Sequence, residues 1–337
     1  MTCLKRILFC ALCALCALCA SAQSQREGLV SVAFYNLENL FDTIHDEGKN
    51  DQDFLPGGKY GWDTEKYQSK LRNMARVLGE LARDRTPQGP ALIGVAEAEN
   101  ERVLRDLTAQ APIRHLRYIH QEGPDQRGID CALLYDPAQL TVNGMQLVES
   151  QPYQGDTSHP TRGFLIVDGQ LAGEQVYVIV NHWPSRGADS PLRVHAARQV
   201  RALTDSLSTL SKQAKIIVMG DMNDDPMDES MQALGAKKLK KKVKKGEFYN
   251  PWWATLEDDG VGTLLYRGKW NLFDQIVLSK SLLGKKGLRY ADSQVFRPEY
   301  LIQQDGKYKG SPLRTHGSGQ WLNGYSDHLP TIVYLER

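Results

Sequence analysis

Short apolar runs rich in β-branched residues recur along the chain at Leu29 to Tyr35, Ala91 to Ala96, Ile129 to Tyr135, Gln175 to Val180, Lys215 to Met219, Phe273 to Leu278 and Thr331 to Leu335. Runs of this length read as buried strands. Between them the apolar period changes. Tyr67, Leu71, Met74, Leu78 and Leu81 follow one another at spacings of four and three, as do Leu192, Ala196, Val200, Leu203, Leu207 and Leu210. That is the stripe of an amphipathic helix laid on a sheet. No Ser- or Gly-rich linker and no internal repeat divides the chain, so the pattern predicts one layered α/β domain.

The first residues follow a different rule. Lys5 and Arg6 precede the apolar run Ile7 to Ala20, and Ala20-Ser21-Ala22 supplies a small-residue cleavage pattern before Gln23. This reads as a secretory signal, residues 1–22, cleaved after Ala22 to leave a single domain over 23–337 in the periplasm or outside the cell. A lipoprotein signal is the rival reading. It fits less well, because Phe9, Leu12, Leu15 and Leu18 stand where a small residue should precede Cys10, Cys13, Cys16 or Cys19. Cys131 is the only cysteine beyond that segment, so no intrachain disulfide can form there, and its apolar neighbours predict a buried core residue. No later stretch approaches the roughly 20 apolar residues of a membrane-spanning helix.

Charge narrows the function further. Removing Lys5 and Arg6 takes the balance of 41 basic and 40 acidic residues to a net charge of −1, which does not suit a protein that coats nucleic acid. The one strong charge block is Lys237, Lys238, Lys240, Lys241, Lys242, Lys244 and Lys245. It reads either as a polyanion contact near the GDMND segment that it follows or as a solvated surface, and the solvated surface is the commoner case.

Polar clusters end the strands. Asn36, Glu97, Asn181-His182 and Asp221 with Asn223 follow four of the runs, Asp274 opens another, and Ser326-Asp327-His328 precedes the last. Each has an ordinary reading alone: Asn36 as a turn cap, Glu97 as the cap of a helix near Asn100, His182 as a satisfied core histidine. Together they place carboxylates, amides and imidazoles on one rim of a layered sheet, where loops converge. Carboxylates and an amide suit Mg²⁺, a hard ion that keeps several waters, whereas no Cys cluster or close His pair favours zinc. A histidine tethered to a carboxylate suits proton transfer and charge stabilisation.

GDMND (Gly220 to Asp224), SDHLP (Ser326 to Pro330), NHWPSR (Asn181 to Arg186) and the Glu of GVAEAEN (Gly94 to Asn100) closely resemble the endonuclease/exonuclease/phosphatase family. YNLENLFDT (Tyr35 to Thr43), NDQDFLPG (Asn50 to Gly57) and the pairing of WNLFDQI with GYSDHLP resemble its secreted bacterial branch, over nearly the whole mature chain. The resemblance implies a four-layer α/β sandwich, two mixed β-sheets packed face to face with helices outside, and a metal-dependent phosphoric ester hydrolase using Mg²⁺, with Mn²⁺ or Ca²⁺ as substitutes. It also implies roles: Glu97 as main metal ligand with Asn36 and Asp327 beside it, and Asp221 orienting or deprotonating the attacking water, held by Asn223. Asp274 pairs with His328, and His182 bonds a phosphate oxygen or the leaving group.

Arg127 in RGID is a candidate phosphate clamp or a solvated loop arginine. Asp42, Asp46, Asp51 and Asp53 lack EF-hand spacing and read as a solvated acidic loop. Trp183, Trp270, Trp321 and Tyr325 flank the motifs and read as packing residues rather than stacking platforms. The leading functional reading is a secreted phosphodiesterase or nuclease acting on DNA or RNA as a monomer. The alternative is a phosphomonoesterase or a sphingomyelinase-like lipid-headgroup phosphodiesterase. The intact polar set argues against a non-catalytic binding protein. Substrate, endo or exo action, metal count and oligomeric state are left open by these residues.

Overall fold

Each of the seven apolar runs forms a strand, and several extend past their apolar part into the polar residues that follow. In chain order the strands are β1 (Leu29–Leu40), β2 (Leu92–Ala98), β3 (Arg117–Ile119), β4 (Asp130–Tyr135), β5 (Leu140–Val148), β6 (Phe164–Leu171), β7 (Glu174–His182), β8 (Lys215–Asp221), β9 (Ala236–Lys237), β10 (Phe248–Tyr249), β11 (Leu264–Tyr266), β12 (Lys269–Asn271), β13 (Asp274–Ser279), β14 (Arg289–Val295), β15 (His316–Gly317), β16 (Gln320–Trp321) and β17 (Thr331–Glu336). The predicted helices are α1 (Thr64–Glu80) and α3 (Ser190–Leu210), joined by α2 (Glu101–Thr108) and the short α4 (Glu229–Leu234) and α5 (Trp252–Glu257). This computed structural model describes residues 28–158, 160–210 and 214–337. The signal-peptide reading of residues 1–22 lies outside the described residues.

Two mixed sheets stack face to face. One runs β14-β17-β1-β2-β4-β3 and the other β5-β6-β7-β8-β13-β10-β9. Val32, Phe34, Val178, Val180, Met219 and Ile276 belong to the core between them, and buried Cys131 lies there too. The outer face of the first sheet packs Tyr35, Ile93 and Val95 against Leu71, Met74 and Leu78 of α1 and Leu104 of α2. The other outer face packs Ile179 and Val218 against Ala197 and Val200 of α3. The layering is helix, sheet, sheet, helix, as expected for a four-layer α/β sandwich. The hairpin of β5 and β6 escaped the periodicity reading, because β5 is mostly exposed and carries no apolar run.

Chain connectivity aims both sheets at one rim. β1 and β2 are parallel, as are β7 and β8, and the helical crossovers α1 and α3 join them. The antiparallel neighbours β13 and β17 begin where those strands end. The other end of the molecule carries the lysine run. β10 pairs Phe248 with Ser279 and Tyr249 with Leu278, at the far end of β13 from Asp274. The run that follows GDMND in sequence is therefore carried to the opposite rim, which corrects the reading that placed it near that motif.

The acidic loop after β1 is only partly solvated: Asp53 is exposed and Asp46 half-buried. Asp42 and Asp51 are buried, Asp42 bonded to Arg102 at 2.5 Å and Asp51 to His45 at 2.5 Å. Beyond it, the segment through Trp62 folds into an aromatic cluster. Phe41 stacks on Phe54 at 4.3 Å between centroids, and His316 lies 4.6 Å from Tyr60, 5.8 Å from Trp62 and 5.2 Å from Trp321. Trp183 and Tyr325 are buried and Arg297 covers Trp270, so the flanking aromatics are packing residues.

His316 makes the stability of this cluster depend on pH. Burial, with Lys66, Lys70 and Arg314 nearby, pushes its pKa down to about 4 from the usual 6.5. The folded chain holds it neutral while the unfolded chain binds a proton below 6.5, so its contribution is lost as pH falls from 6.5 to 4. His316→Phe should keep the ring packing and remove this dependence. Urea midpoints at pH 7.5 and 4.5 should fall further for the parent than for the variant; equal falls would exclude the role.

Candidate active site

The site is the polar continuation of the inter-sheet core. Side chains alternate across a strand, and those of Val176, Val178 and Val180 face the other sheet, so His182 follows them at the rim of β7. Ile217 and Met219 put Asp221 on that same face of β8, and Ile276 and Leu278 do so for Asp274 at the start of β13. Val32 and Phe34 bring Asn36 to the rim from the first sheet. His182 pairs with Asp221 and Asp221 with Asp274 in the strand register, so three functional groups stand in one row. Gly220 lets that row close up: a Cβ there would fall 2.3 Å from the Asn181 carbonyl oxygen.

Glu97 breaks the alternation. In register it would face the helices, but the pairing of β2 with β4 shifts between Ala96 and Ala98, and Glu97 adopts a left-handed φ of 64°. A bulge of this kind re-aims one side chain. Its carboxylate accepts the Asn39 backbone N–H at 2.9 Å and Asn36 Nδ2 at 3.3 Å. β1 is similarly bent, with Glu38 and Asn39 at φ of 47° and 51°. Asn100, not Glu97, caps α2 by accepting Val103 N–H at 3.1 Å.

Buried Asp221, Asp274 and His328 and part-buried Glu97 meet across the gap between the sheets. Asn36 Nδ2 donates to Asp221 Oδ2 at 3.0 Å, and His182 Nε2 lies 3.6 Å from Asp221 and 3.8 Å from Glu97. His328 Nδ1 bonds Asp274 Oδ2 at 2.7 Å, with Nε2 3.9 Å from Asp221. Burial raises the Asp221 pKa to about 7; His328 lowers it and Asp274 and Glu97 raise it, while the Asn223 N–H at 2.9 Å favours its charged form. Burial would lower His328, but Asp274, Asp221 and Asp327 carry it well above its usual value. His182 goes the other way: burial, Arg162, Arg127 and His328 hold it well below, so it stays neutral, with a buried Nδ1 that has no protein partner. One histidine is poised as a cation and the other as a neutral donor. Ser326 ties the loop before β17 to β1 of the same sheet, donating to Asn36 O at 2.7 Å and accepting His328 N–H at 3.1 Å. Asn223, at φ 51°, donates to Trp183 O at 3.0 Å.

The donor chemistry fits a hard divalent cation. Glu97, Asp221, Asp274 and Asp327 bring four carboxylates to one rim, and among the described residues no thiol joins the group of donor atoms there. Among these, Asp221, Asp274 and His328 hold donor atoms within 4.8 Å of one another. The hydrogen bond of His328 to Asp274 at 2.7 Å occupies one donor atom of each of these two members of that trio, whereas Glu97 accepts only from Asn36 and Asn39 among the described residues. Asp327 is drawn outward, bonded to Arg314 at 2.8 Å. Asn36 Oδ1 accepts the Glu38 N–H at 2.9 Å, so it reaches a cation directly only by exchanging that bond.

Sequence reasoning passed over several partners. Glu38 is buried, bonds Arg314 at 3.1 Å and Thr315 N–H at 2.7 Å, and lies 4.0 Å from buried Lys70. Burial raises Glu38 to about 7 and lowers Lys70 to about 8. Glu38 sits inside YNLENLF, so its motif was visible, whereas Lys70 looks like any surface lysine of an amphipathic helix. Arg127 is half exposed and reaches both Asn39 Oδ1 at 2.6 Å and Glu97 at 3.9 Å. It also lines a cleft of about 910 Å³ with Tyr153, Arg162, Ser185 and His195. Arg162 is buried there, bonded to Trp183 O and Asp125 while its Nε is unpaired.

A sequence profile described as Endonuclease/Exonuclease/phosphatase family matches residues 31–337. No curated protein matches the sequence. Among solved structures, D. rerio TDP2 complexed with a single-strand DNA product is similar with a TM-score of 0.56 at 13% identity, over 92% of this chain and 99% of that one. A mannosyl-6-phosphatase from Bacteroides thetaiotaomicron gives 0.56 at 16%, over 91% and 100%. A protein of unknown function from Enterococcus faecalis gives 0.52 at 15%, over 91% and 99%.

Two expectations follow from this geometry. At Glu97 the left-handed backbone penalises any L side chain by about 1–2 kcal/mol, so Glu97→Gly should unfold at higher urea than Glu97→Ala, by about 1 kcal/mol, the reverse of their order in an ordinary strand. Equal midpoints would show that the bulge relaxes. If Asp274 orients His328, then Asp274→Asn and His328→Ala should each slow turnover by about 10²–10⁴, and the double variant should be little worse than either. Multiplicative losses in single-turnover assays would separate the two residues.

Proposed function

The chain belongs to the endonuclease/exonuclease/phosphatase family, and we propose that it is a divalent-metal-dependent hydrolase of compact phosphoesters, exported through residues 1–22. The observation that carries this reading is the row of His182, Asp221 and Asp274, with His328 and Glu97 beside it, and Arg127 3.9 Å from Glu97 linking the row to a neighbouring cleft. A cation held by Glu97, with Asn36 and Asp327 adjoining, would polarise the phosphoryl and leaving oxygens. The remaining work falls to the protein. Asp221, with its pKa raised to about 7 and its carboxylate steadied by Asn223, aligns water and takes its proton. His328, kept protonated against Asp274, donates to the phosphoryl group as charge builds on it. Neutral His182 offers Nε2–H to the leaving side, and Arg127 clamps a phosphate oxygen.

Support for a small leaving group comes from the mixed wall of this cleft, where Arg127, Arg162 and Ser185 stand beside apolar surface and the rings of Tyr153 and His195 lie 5.5 Å apart, a setting that suits a sugar or comparable ring. The likeness in fold to a mannosyl-6-phosphatase is compatible with that choice. A nucleic-acid strand is the second reading, favoured by the likeness to TDP2 bound to a DNA product. It loses the support of the lysine run, which stands on the opposite rim.

A substrate panel decides between them: sugar phosphates, a chromogenic monoester and diester, sphingomyelin, inositol phosphates, plasmid DNA and RNA. Turnover of sugar phosphates should exceed cleavage of nucleic acid, vanish in chelator and return with Mg²⁺ or Mn²⁺. Full activity after exhaustive chelation would refute the metal-dependent mechanism. Preference for DNA would transfer the assignment to the nuclease reading. Tyr153→Ala should raise KM severalfold for the preferred substrate and leave kcat near the parent value; an unchanged KM would remove the cleft from the account.

A further inference from the structure

The rim opposite the active site is a lysine face. Lys241, Lys242, Lys244 and Lys245 are exposed there, and Lys280, Lys285 and Lys286 join them from the turn between β13 and β14. The two groups are neighbours in space. Phe248 pairs with Ser279, immediately before Lys280. Lys240 Nζ lies 4.1 Å from the ring of Tyr290, which follows Lys286 closely in the chain, and Tyr249 and Tyr290 pack at 5.1 Å.

The acidic groups nearby form their ion pairs with other cations, and Glu247 meets Lys244 through the latter's backbone N–H at 2.8 Å. Lys237 pairs with Glu247 at 3.4 Å, Lys238 with Glu257 and Asp258, Arg289 with Glu336 at 3.2 Å, Arg85 with Asp292 at 2.7 Å and Lys215 with Glu174 at 3.2 Å. Among the described residues, none of the seven exposed lysines has an ion-pair partner. In a chain with 41 basic and 40 acidic residues, seven unpaired cations on one face are a local segregation of charge.

We propose that this face docks the protein on an anionic lipid surface, with the active-site rim turned away into solution. Clustered lysines attract anionic headgroups as point charges, without the bidentate geometry that arginine brings to individual phosphates. Leu239, 46% exposed beside the run, offers an apolar side chain to the interface. A nucleic-acid strand fits the face less well. Single strands bind by base stacking on open aromatic rings, and here Lys240 covers Tyr249 and Tyr290. A polymer held on this rim would also lie a full strand length from Asp221 and Asp274.

Co-sedimentation of the purified chain with phosphatidylcholine vesicles, with and without phosphatidylglycerol, tests this. Binding should require phosphatidylglycerol and weaken with salt, and each Lys→Gln change in the seven should cost roughly fivefold in partitioning. Changing all seven to Gln should abolish binding, and changing all seven to Arg should preserve it. Lys307→Gln with Lys309→Gln, on another exposed loop, should leave it unchanged. Turnover of a soluble substrate should match the parent in every variant. Lys244→Glu with Lys245→Glu applies the same test with only two surface changes. Absence of vesicle binding, binding that survives the seven Gln changes, or tighter binding of duplex DNA than of vesicles at equal salt would each overturn the proposal. None of these outcomes depends on which phosphoester is hydrolysed.

Discussion

Burying Glu97, Asp221 and Asp274 at one end of an apolar inter-sheet core creates like-charge repulsion in a medium that solvates it poorly, and much of the architecture answers that problem. The paired cation His328 is pinned by Asp274, and the amide of Asn36 bridges Glu97 to Asp221. Backbone N–H groups of Asn39 and Asn223 supply further compensation. The remaining excess of negative charge is what a divalent cation would neutralise. Without such groups the carboxylates would take up protons, as the raised pKa of Asp221 already indicates.

The same arrangement distributes strain. Glu38, Asn39, Glu97 and Asn223 all hold left-handed backbone conformations around one point. Each costs of order 1–3 kcal/mol and persists only where surrounding contacts fix it. Glu38 is locked by Arg314 and Thr315, and Asn223 by Asp221 and Trp183. The two stacked sheets form the rigid frame that holds these turns.

Opposite ends of the strands then serve different tasks. One rim gathers carboxylates, imidazoles and the Arg127 cleft, and the other gathers unpaired lysines. In a nearly neutral chain this polarity requires separation, because lysines beside the acidic rim would pair with its carboxylates. Connectivity provides it: β10 starts opposite Ser279, at the far end of β13, so the lysine run that leads into β10 is held at that end.

Alternation and helical period in the sequence determined the seven central strands, the two long helices and the apolar residues that these bury, because their burial follows from local spacing. The short motifs also marked which strand ends carry chemistry, since Asn36, His182, Asp221 and Asp274 simply continue an inward-facing register. Tertiary structure alone decided the rest. Glu97 faces the site through a bulge that no alternation reveals, and Lys70 is buried on a helix face because Glu38, Thr315 and Tyr325 meet it from distant segments. The lysine run follows GDMND in the chain and lies a strand length away in space, because strand direction, not sequence proximity, sets which rim a loop occupies.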